Sequence, residues 1–345
     1  MKKGHWIAGA YGLAGAALAA KLLSRPRDVE WEAHKDELPH AERSRFMSVE
    51  GVRVHYQEAG ERDAPPVILI HGFCASTFVW SDVFLPIAEA GFRVIAPDLM
   101  GYGFSEKPRA GEYTIEAQAR LIVGLMDELG IERATIIGSS YGGAVASVCA
   151  LDYPERVERL VLVDAVINDE VKRQPLLQLA AAPLMGDIIS PVLLSTYRLT
   201  RWRMRKVYAK GATWLLADER MRAHHRPLRA ASAHRAVLRT LRRWSASRIE
   251  DEAASIQQPT LLIWGEDDRD IPLEHGQRMF AKIPDARLIV FRRCGHLPQE
   301  EYPREFTKLV TEFCKAKPTM DDRPLTMENH EQSSSIVHRP SSTAR

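Results

Sequence analysis

The chain has 345 residues, 45% of them hydrophobic and 27% charged. At roughly 150 residues per domain this length means two domains, or one large α/β domain carrying an insertion. The composition excludes bulk disorder, a collagen-like repeat and a multi-span membrane protein. Lysine and arginine number 47 against 45 aspartates and glutamates, so no overall field points to nucleic acid as a partner.

The averages cover unlike segments. Residues 4–23 contain no acid and one base, Lys21. Twenty helical residues at about 1.5 Å rise cover the ~30 Å of a bilayer core. Residues 1–23 are therefore expected to form a hydrophobic N-terminal segment, either a membrane anchor or a signal peptide cleaved near Ala17-Leu18-Ala19. A soluble helix packed on the domain is the third reading. Residues 24–44 are charged and aperiodic and read as a linker. Cys74, Cys149, Cys294 and Cys314 form no C-x-x-C pair; they read as small buried hydrophobes, with neither a zinc pattern nor a dense disulfide framework.

From residue 45 to 316 short apolar runs alternate with helical patterns. Val52 to Tyr56 alternates in period two and is expected to pair with Phe46 to Val49. Val67 to Ile70 is continuously apolar, as a strand buried on both faces requires. Val94–Ala96, Ala134–Ile137, Leu160–Val163, Thr260–Ile263 and Leu288–Phe291 repeat that signature. Helical stretches lie between them, at Asp82–Ala90, Ile115–Leu129, Gly143–Asp152, Leu273–Lys282 and Arg304–Cys314. Such βαβ alternation predicts a mostly parallel sheet with helices on both faces. The interval 167–255 breaks the rhythm and reads as a helical cap inserted between two strands. Residues 317–345 are polar and low in apolar side chains, the composition of a disordered tail.

The chemistry is expected at the strand ends. The strand at Ile136-Ile137 runs into Gly138-Ser139-Ser140-Tyr141-Gly142-Gly143, with a helix after it. A turn this tight needs small flanking residues and holds Ser140 exposed at the edge of the sheet. The Tyr141 N–H then opens the helix, where the dipole favours an anion. A serine hydroxyl needs a base, and the base needs a carboxylate to fix its tautomer. His296 follows the Leu288–Phe291 strand after Gly295, and Glu266-Asp267-Asp268-Arg269-Asp270 forms an acidic loop after the strand before it. His71-Gly72-Phe73 follows an early strand, so the Phe73 N–H pairs with that of Tyr141 as the second oxyanion donor. Asp98, in Asp98-Leu99-Met100-Gly101-Tyr102-Gly103, reads as a structural turn residue bonding backbone N–H groups.

Five motifs in order, HGF at 71, DxxGxGxS at 98, GxSxG at 138, WGxxD at 264 and GH at 295, make residues 45–316 resemble the α/β-hydrolase superfamily, in particular its capped serine hydrolases. The resemblance implies an eight-stranded, mostly parallel sheet with an inserted helical cap. It implies Ser140 as nucleophile, Asp268 as the acid and His296 as the base, with Phe73 and Tyr141 forming the oxyanion hole. Asp267 and Asp270 are weaker choices for the acid, and Asp164 stands where some relatives carry it. A serine at the elbow argues against haloalkane dehalogenases and epoxide hydrolases, which use aspartate there. No metal or organic cofactor is implied.

Two further stretches shape the expected substrate. Gln178–Leu199 is strongly apolar, a greasy lining for acyl chains if it covers Ser140. From Arg198 to Arg248 thirteen arginines and two lysines face only Asp218 and Glu219, a cationic face suited to an anionic membrane surface. Together with residues 4–23 these stretches predict a membrane-associated serine esterase or lipase, cleaving lipophilic esters such as monoacylglycerols. The alternative is a carbon–carbon bond hydrolase of ring-fission products, which the segment from Trp264 to His296 also resembles. Those enzymes typically carry a longer glycine-proline loop after HG and a tryptophan after the GH histidine; here the loop reads Phe73-Cys74-Ala75 and the next residue is Leu297. A catalytically silent scaffold on the same fold is the second alternative.

Overall fold

The computed structural model describes Gly15 and residues 30–229, 231–316 and 334–337. One sheet organises them, with strands β1 (Ser44–Val49), β2 (Val52–Ala59), β3 (Pro66–Ile70), β4 (Arg93–Pro97), β5 (Ala134–Ser139), β6 (Val157–Val163), β7 (Thr260–Gly265), β8 (Ala286–Phe291) and β9 (Ser334–Val337) in the spatial order 1-2-4-3-5-6-7-8-9. β3 to β8 run parallel, while β1, β2 and β9 pair antiparallel. The continuous apolar runs lie inside: Val67, Leu69, Ile70, Val94, Ile95, Ile136, Ile137 and Leu160–Val163 are fully buried. Helices flank the sheet, among them α1 (Ser81–Glu89), α2 (Ile115–Glu128) and α3 (Tyr141–Asp152).

The strand order reverses at β3, which has β4 on one side and β5 on the other. In open α/β sheets ligands bind outside the carboxyl ends of the strands at such a switch point. The loops after β3 and β5, which carry Phe73 and Ser140, meet at that point.

Between β6 and β7 the described residues hold helices and no strand. These include α4 (Pro175–Ala181), α5 (Met185–Ser195), α6 (Tyr197–Val207), α7 (Asp218–His225) and α8 (Ala231–Arg243). Ala180, Ala181 and Leu194 of the apolar stretch, with Leu177 just before it, pack against the main core, whereas Leu179 and Leu184 are exposed. Five arginines of the basic stretch are held in ion pairs within the chain: Arg201 with Asp218, Arg220 with Asp82 and Glu300, Arg226 with Glu37, Arg242 with Asp187, and Arg248 with Asp152 and Glu252. Intramolecular carboxylates thus engage five of the thirteen arginines of a face expected to meet anionic lipid.

The expected membrane association is corrected. A span needs about 20 apolar residues, and among the described residues no helix is long and apolar enough to cross a membrane; α2, the longest, has 14 residues. The segment 4–23 lies outside the described residues apart from Gly15.

Two boundaries also move. Within the expected linker, residues 30–43 form short turns against the domain, with the Trp31 ring 5.5 Å from Phe46 and 5.1 Å from Phe104. Within the expected disordered tail, Ser334–Val337 pairs with Leu288–Phe291, so the sheet has nine strands where eight were expected. The rest of the tail lies outside the described residues. All four cysteines are free.

Trp264, at the end of β7, is fully buried, and its indole Nε1–H donates to Ile271 O at 2.9 Å, closing the loop that carries Asp268. Its ring lies against Gly276, where an added Cβ would stand 2.6 Å from Cε3. Trp264→Ala is expected to cost about 3–5 kcal/mol of stability, read as a lowered midpoint of urea unfolding.

Candidate active site

Ser140 joins β5 to α3 at φ 55° and ψ −119°, in a region that L side chains rarely adopt. Such a residue stores about 1–3 kcal/mol and persists only where its surroundings over-determine it. Here the Ser140 N–H donates to Val163 O at 2.9 Å, and its carbonyl accepts from Gly143 N at 2.9 Å and Val166 N at 3.0 Å. The two motif glycines are sterically required: a Cβ on Gly138 would stand 2.2 Å from Gly142 O, and one on Gly142 would stand 2.2 Å from Ile70 O. The bend leaves the Ser140 side chain half-buried and places the Tyr141 N–H first in its helix, without an intrahelical acceptor.

The loop after β3 lies over this serine. A Cβ on Gly72 would meet Ser140 Cβ at 3.0 Å and Oγ at 3.5 Å, so the loop that goes on to Phe73 packs closely on the serine. His71 shapes the loop: its Nδ1 bonds Gly72 O at 2.8 Å and its Nε2 accepts from Leu99 N at 3.0 Å. Burial lowers its pKa against the opposing pull of Asp98. Asp98 is a structural clasp. Its oxygens accept from Thr77 N at 2.8 Å and Phe104 N at 2.9 Å and meet His55 Nδ1 at 2.7 Å. Burial alone would raise this carboxyl, but His55, His71 and the Phe104 N–H hold it down at about 2. From the insertion, Trp244 packs on Tyr141 and Phe73 with ring centroids 5.2 and 5.8 Å away.

Asp268 and His296 are brought together from the ends of β7 and β8. Asp268 Oδ2 lies 2.6 Å from His296 Nδ1, while Oδ1 accepts from Asp270 N at 2.8 Å and Ile271 N at 3.0 Å. A carboxylate can only accept, so Nδ1 carries the proton and Nε2 is left as the basic nitrogen. Of the other acids weighed for this place, Asp267 is exposed and Asp270 is half-buried, and neither contacts the His296 ring among the described bonds. Burial of His296 disfavours its cation, but the charge and hydrogen bond of Asp268 prevail and raise its pKa; Asp270 adds to the rise and Arg203 opposes it.

Several groups here escaped the sequence reading. Glu301 accepts from Gly295 N at 2.9 Å and Ala209 N at 3.0 Å, and His296 N donates to Val207 O at 2.8 Å. The histidine loop is thereby fastened to the end of α6. Burial pushes Glu301 up to about 7 against the pull of these N–H groups. Glu300, fully enclosed, accepts from Tyr208 Oη at 2.7 Å and from Arg220 at 2.8 Å, and Arg220 also reaches Asp82 at 2.7 Å. Gln299 Nε2 donates to Ser139 Oγ at 3.5 Å, joining the segment after His296 to the elbow. The one sequence signal for this set is the Gln299-Glu300-Glu301 run shortly after GH, which an exposed helix start would show equally well.

Comparison with known proteins identifies the family to which this fold belongs. Residues 65–303 match the family described as alpha/beta hydrolase fold. The chain is 34% identical over 275 residues to a 2-hydroxy-6-oxo-6-phenylhexa-2,4-dienoate hydrolase of Comamonas testosteroni, covering 76% of this chain and 92% of that protein. Among solved structures it is similar to the meta-cleavage product hydrolase of Pseudomonas fluorescens IP01, at a TM-score of 0.67 and 29% identity, covering 78% of this chain and 97% of the other. It is also similar to Est816, described as an N-acyl homoserine lactone degrading enzyme, at a TM-score of 0.64 and 27% identity, covering 78% of this chain and all of the other.

A base works only when unprotonated, and the His296 pKa lies above its usual 6.5. The rate of acylation of Ser140 is therefore expected to fall as pH drops through a midpoint above 6.5, measured as kcat/KM against pH. A midpoint below that value would separate His296 from Asp268 functionally.

Proposed function

The chain belongs to the alpha/beta hydrolase fold family, and on that footing we propose that it is a Ser-His-Asp hydrolase cleaving the carbon–carbon bond beside a ketone in ring-fission products of the 2-hydroxy-6-oxo-dienoate class. The observation that carries the reading is the set of curated relatives at 31–34% identity, covering 76–81% of this chain and at least 92% of their own length, that are named for hydrolysing such dienoates. The same comparisons displace the reading as a lipase of monoacylglycerols. That expectation rested on motifs which esterases and carbon–carbon hydrolases share, and on a basic stretch of which five arginines are held in ion pairs within the chain.

The chemistry asks for a nucleophile, one proton shuttle and an oxyanion site. The proton of the substrate's 2-hydroxyl moves to the chain carbon beside the ketone, giving a 2-oxo form. His296 Nε2 then takes the Ser140 hydroxyl proton as Oγ adds to the 6-oxo carbon, and the Phe73 and Tyr141 N–H groups hold the oxyanion. The carbon–carbon bond breaks with its electron pair delocalised to the 2-oxo oxygen, which receives the proton from His296. Water, deprotonated by His296, releases the carboxylic acid from Ser140. Asp268 keeps the imidazole in one tautomer and stabilises its cation throughout. The oxyanion donors contribute about 3–4 kcal/mol each to such a step. The helical insertion, with Trp244 on Tyr141 and Phe73, serves as a cap that excludes water.

Hydrolysis of an ester or lactone is the second reading. It is favoured by the short Phe73-Cys74-Ala75 loop and by Leu297 after the histidine, both departures from the carbon–carbon hydrolase pattern, and by the likeness to Est816.

Wild type is expected to label with a fluorophosphonate probe and Ser140→Ala to lose the label completely. On 2-hydroxy-6-oxo-6-phenylhexa-2,4-dienoate, kcat/KM is expected to exceed that on p-nitrophenyl esters and acyl lactones by about tenfold or more, a difference of ~1.4 kcal/mol in transition-state binding. The reverse ranking would give the second reading. Folded wild type that takes no label would leave the scaffold.

A further inference from the structure

Asp164 follows β6 directly, so its carboxyl and that of Asp268 rise from the ends of neighbouring strands. It is fully buried and held at φ 43°, another left-handed non-glycine position beside the elbow. Its N–H donates to Ile263 O at 2.9 Å, and its Oδ1 accepts the Gly265 N–H at 2.9 Å. Oδ2 is buried and, among the described residues, has no hydrogen-bond donor as partner. A side-chain oxygen of Asp164, one of Asp268 and a ring nitrogen of His296 all lie within 4.8 Å of one another.

Two carboxyls this close and this buried do not both ionise, and the proton goes to the one whose charge is less well supported. Asp268 has the support, two backbone N–H groups on Oδ1 and the imidazole on Oδ2. Asp164 has a single N–H, on the other oxygen. The charged and titratable groups facing it are Asp268 from the β7 loop, His296 and the Cys294 thiol from the β8 loop, and Glu301 beyond them. Burial first, and then the Asp268 charge, push the Asp164 carboxyl well above the usual carboxylate range. A proton on Oδ2 gives that orphaned atom the one role open to it, donation to its neighbour.

We propose that Asp164 is a positioning residue of the triad, which gives a hydrogen bond from Oδ2–H to Asp268 and serves His296 Nδ1 itself when the Asp268 carboxylate is removed. The inference rests on the triad assigned above. In the resting enzyme Asp164 holds one face of the Asp268 carboxylate while His296 holds the other. When Asp268 becomes an amide, the charge that kept Asp164 protonated is gone. Asp164 then releases its proton to solvent, and its carboxylate, within 4.8 Å of the ring, can accept the Nδ1–H after a small rotamer change.

The test is a double-mutant cycle read as the rate of fluorophosphonate labelling, which needs no knowledge of the natural substrate. Asp164→Asn keeps a donor facing Asp268 and is expected to slow labelling about two- to fivefold. A triad acid changed to its amide with no reserve costs about 10⁴-fold. Asp268→Asn is expected to cost only about 10²–10³-fold, and its residual rate is expected to rise with pH as Asp164 ionises. In the double variant the part of that rise due to Asp164 should vanish, leaving only the titration of His296, and the rate should fall at least about tenfold below Asp268→Asn, well beyond the effect of Asp164→Asn alone. Losses that simply multiply, with the same pH profile in Asp268→Asn and the double variant, would overturn the proposal. Far-UV circular dichroism and melting of each variant confirm folding, and the pH profile of Asp268→Asn alone tests the reserve role even where Asp164 variants fail to fold. Wild type that does not label refutes the triad itself; wild type that labels while the losses multiply refutes only the role of Asp164.

Discussion

A serine forced into a left-handed backbone turn is the constraint on which the rest of this protein depends. The Ser140 conformation is unfavourable in isolation by about 1–3 kcal/mol, and it is held by hydrogen bonds to Val163, Gly143 and Val166. Those contacts come from the next strand, the following helix and the first residues leaving the sheet. Fixing one residue thus fixes the spacing of β5 and β6, the approach of α3 and the start of the helical insertion. The strain also aims the hydroxyl out of the sheet and brings the head of α3 alongside it. The proposed nucleophile and one proposed oxyanion donor are therefore set by a single backbone bend and not by separate devices.

The second organising theme is buried carboxylate. Asp98, Asp164, Asp268, Glu300 and Glu301 are all largely or wholly withdrawn from solvent, which is costly unless each finds donors or keeps its proton. Asp98 finds main-chain N–H groups and His55. Glu300 finds Arg220 and Tyr208. Glu301 finds the main chain of Gly295 and Ala209. Each links segments distant in sequence: Asp98 joins the loops after β3 and β4, while Glu300 and Glu301 join the histidine segment to the insertion. The electrostatics that tune His296 and the contacts that hold its loop are in this sense the same set of groups.

Much of this was legible in the sequence, for identifiable reasons. Buried parallel strands need unbroken apolar runs, and such runs marked β3 to β8; the elbow needs glycines where backbones touch, and these marked Ser140. The choice of acid within Asp267-Asp268-Arg269-Asp270 was less determinate, because the turn that sends Asp268 inward and Asp267 outward depends on the closure of its loop by Trp264. The basic stretch misled for a different reason. Arg220 pairs with Asp82, 138 residues away in the chain, and local charge counting does not register partners so remote. Substrate class was left between an ester and a ring-fission ketone, since the triad motifs describe how a bond is broken and not which bond.

The short strand β9 gives the end of the chain a significance its polar composition conceals. An uncovered β8 would present unpaired N–H and C=O groups along Leu288–Phe291, a template for another chain to add to. Antiparallel pairing with Ser334–Val337 occupies that template. Ser334–Val337 thus covers the edge of the sheet, so the sheet's resistance to edge-to-edge association is set by four residues lying about forty positions after the strand they protect.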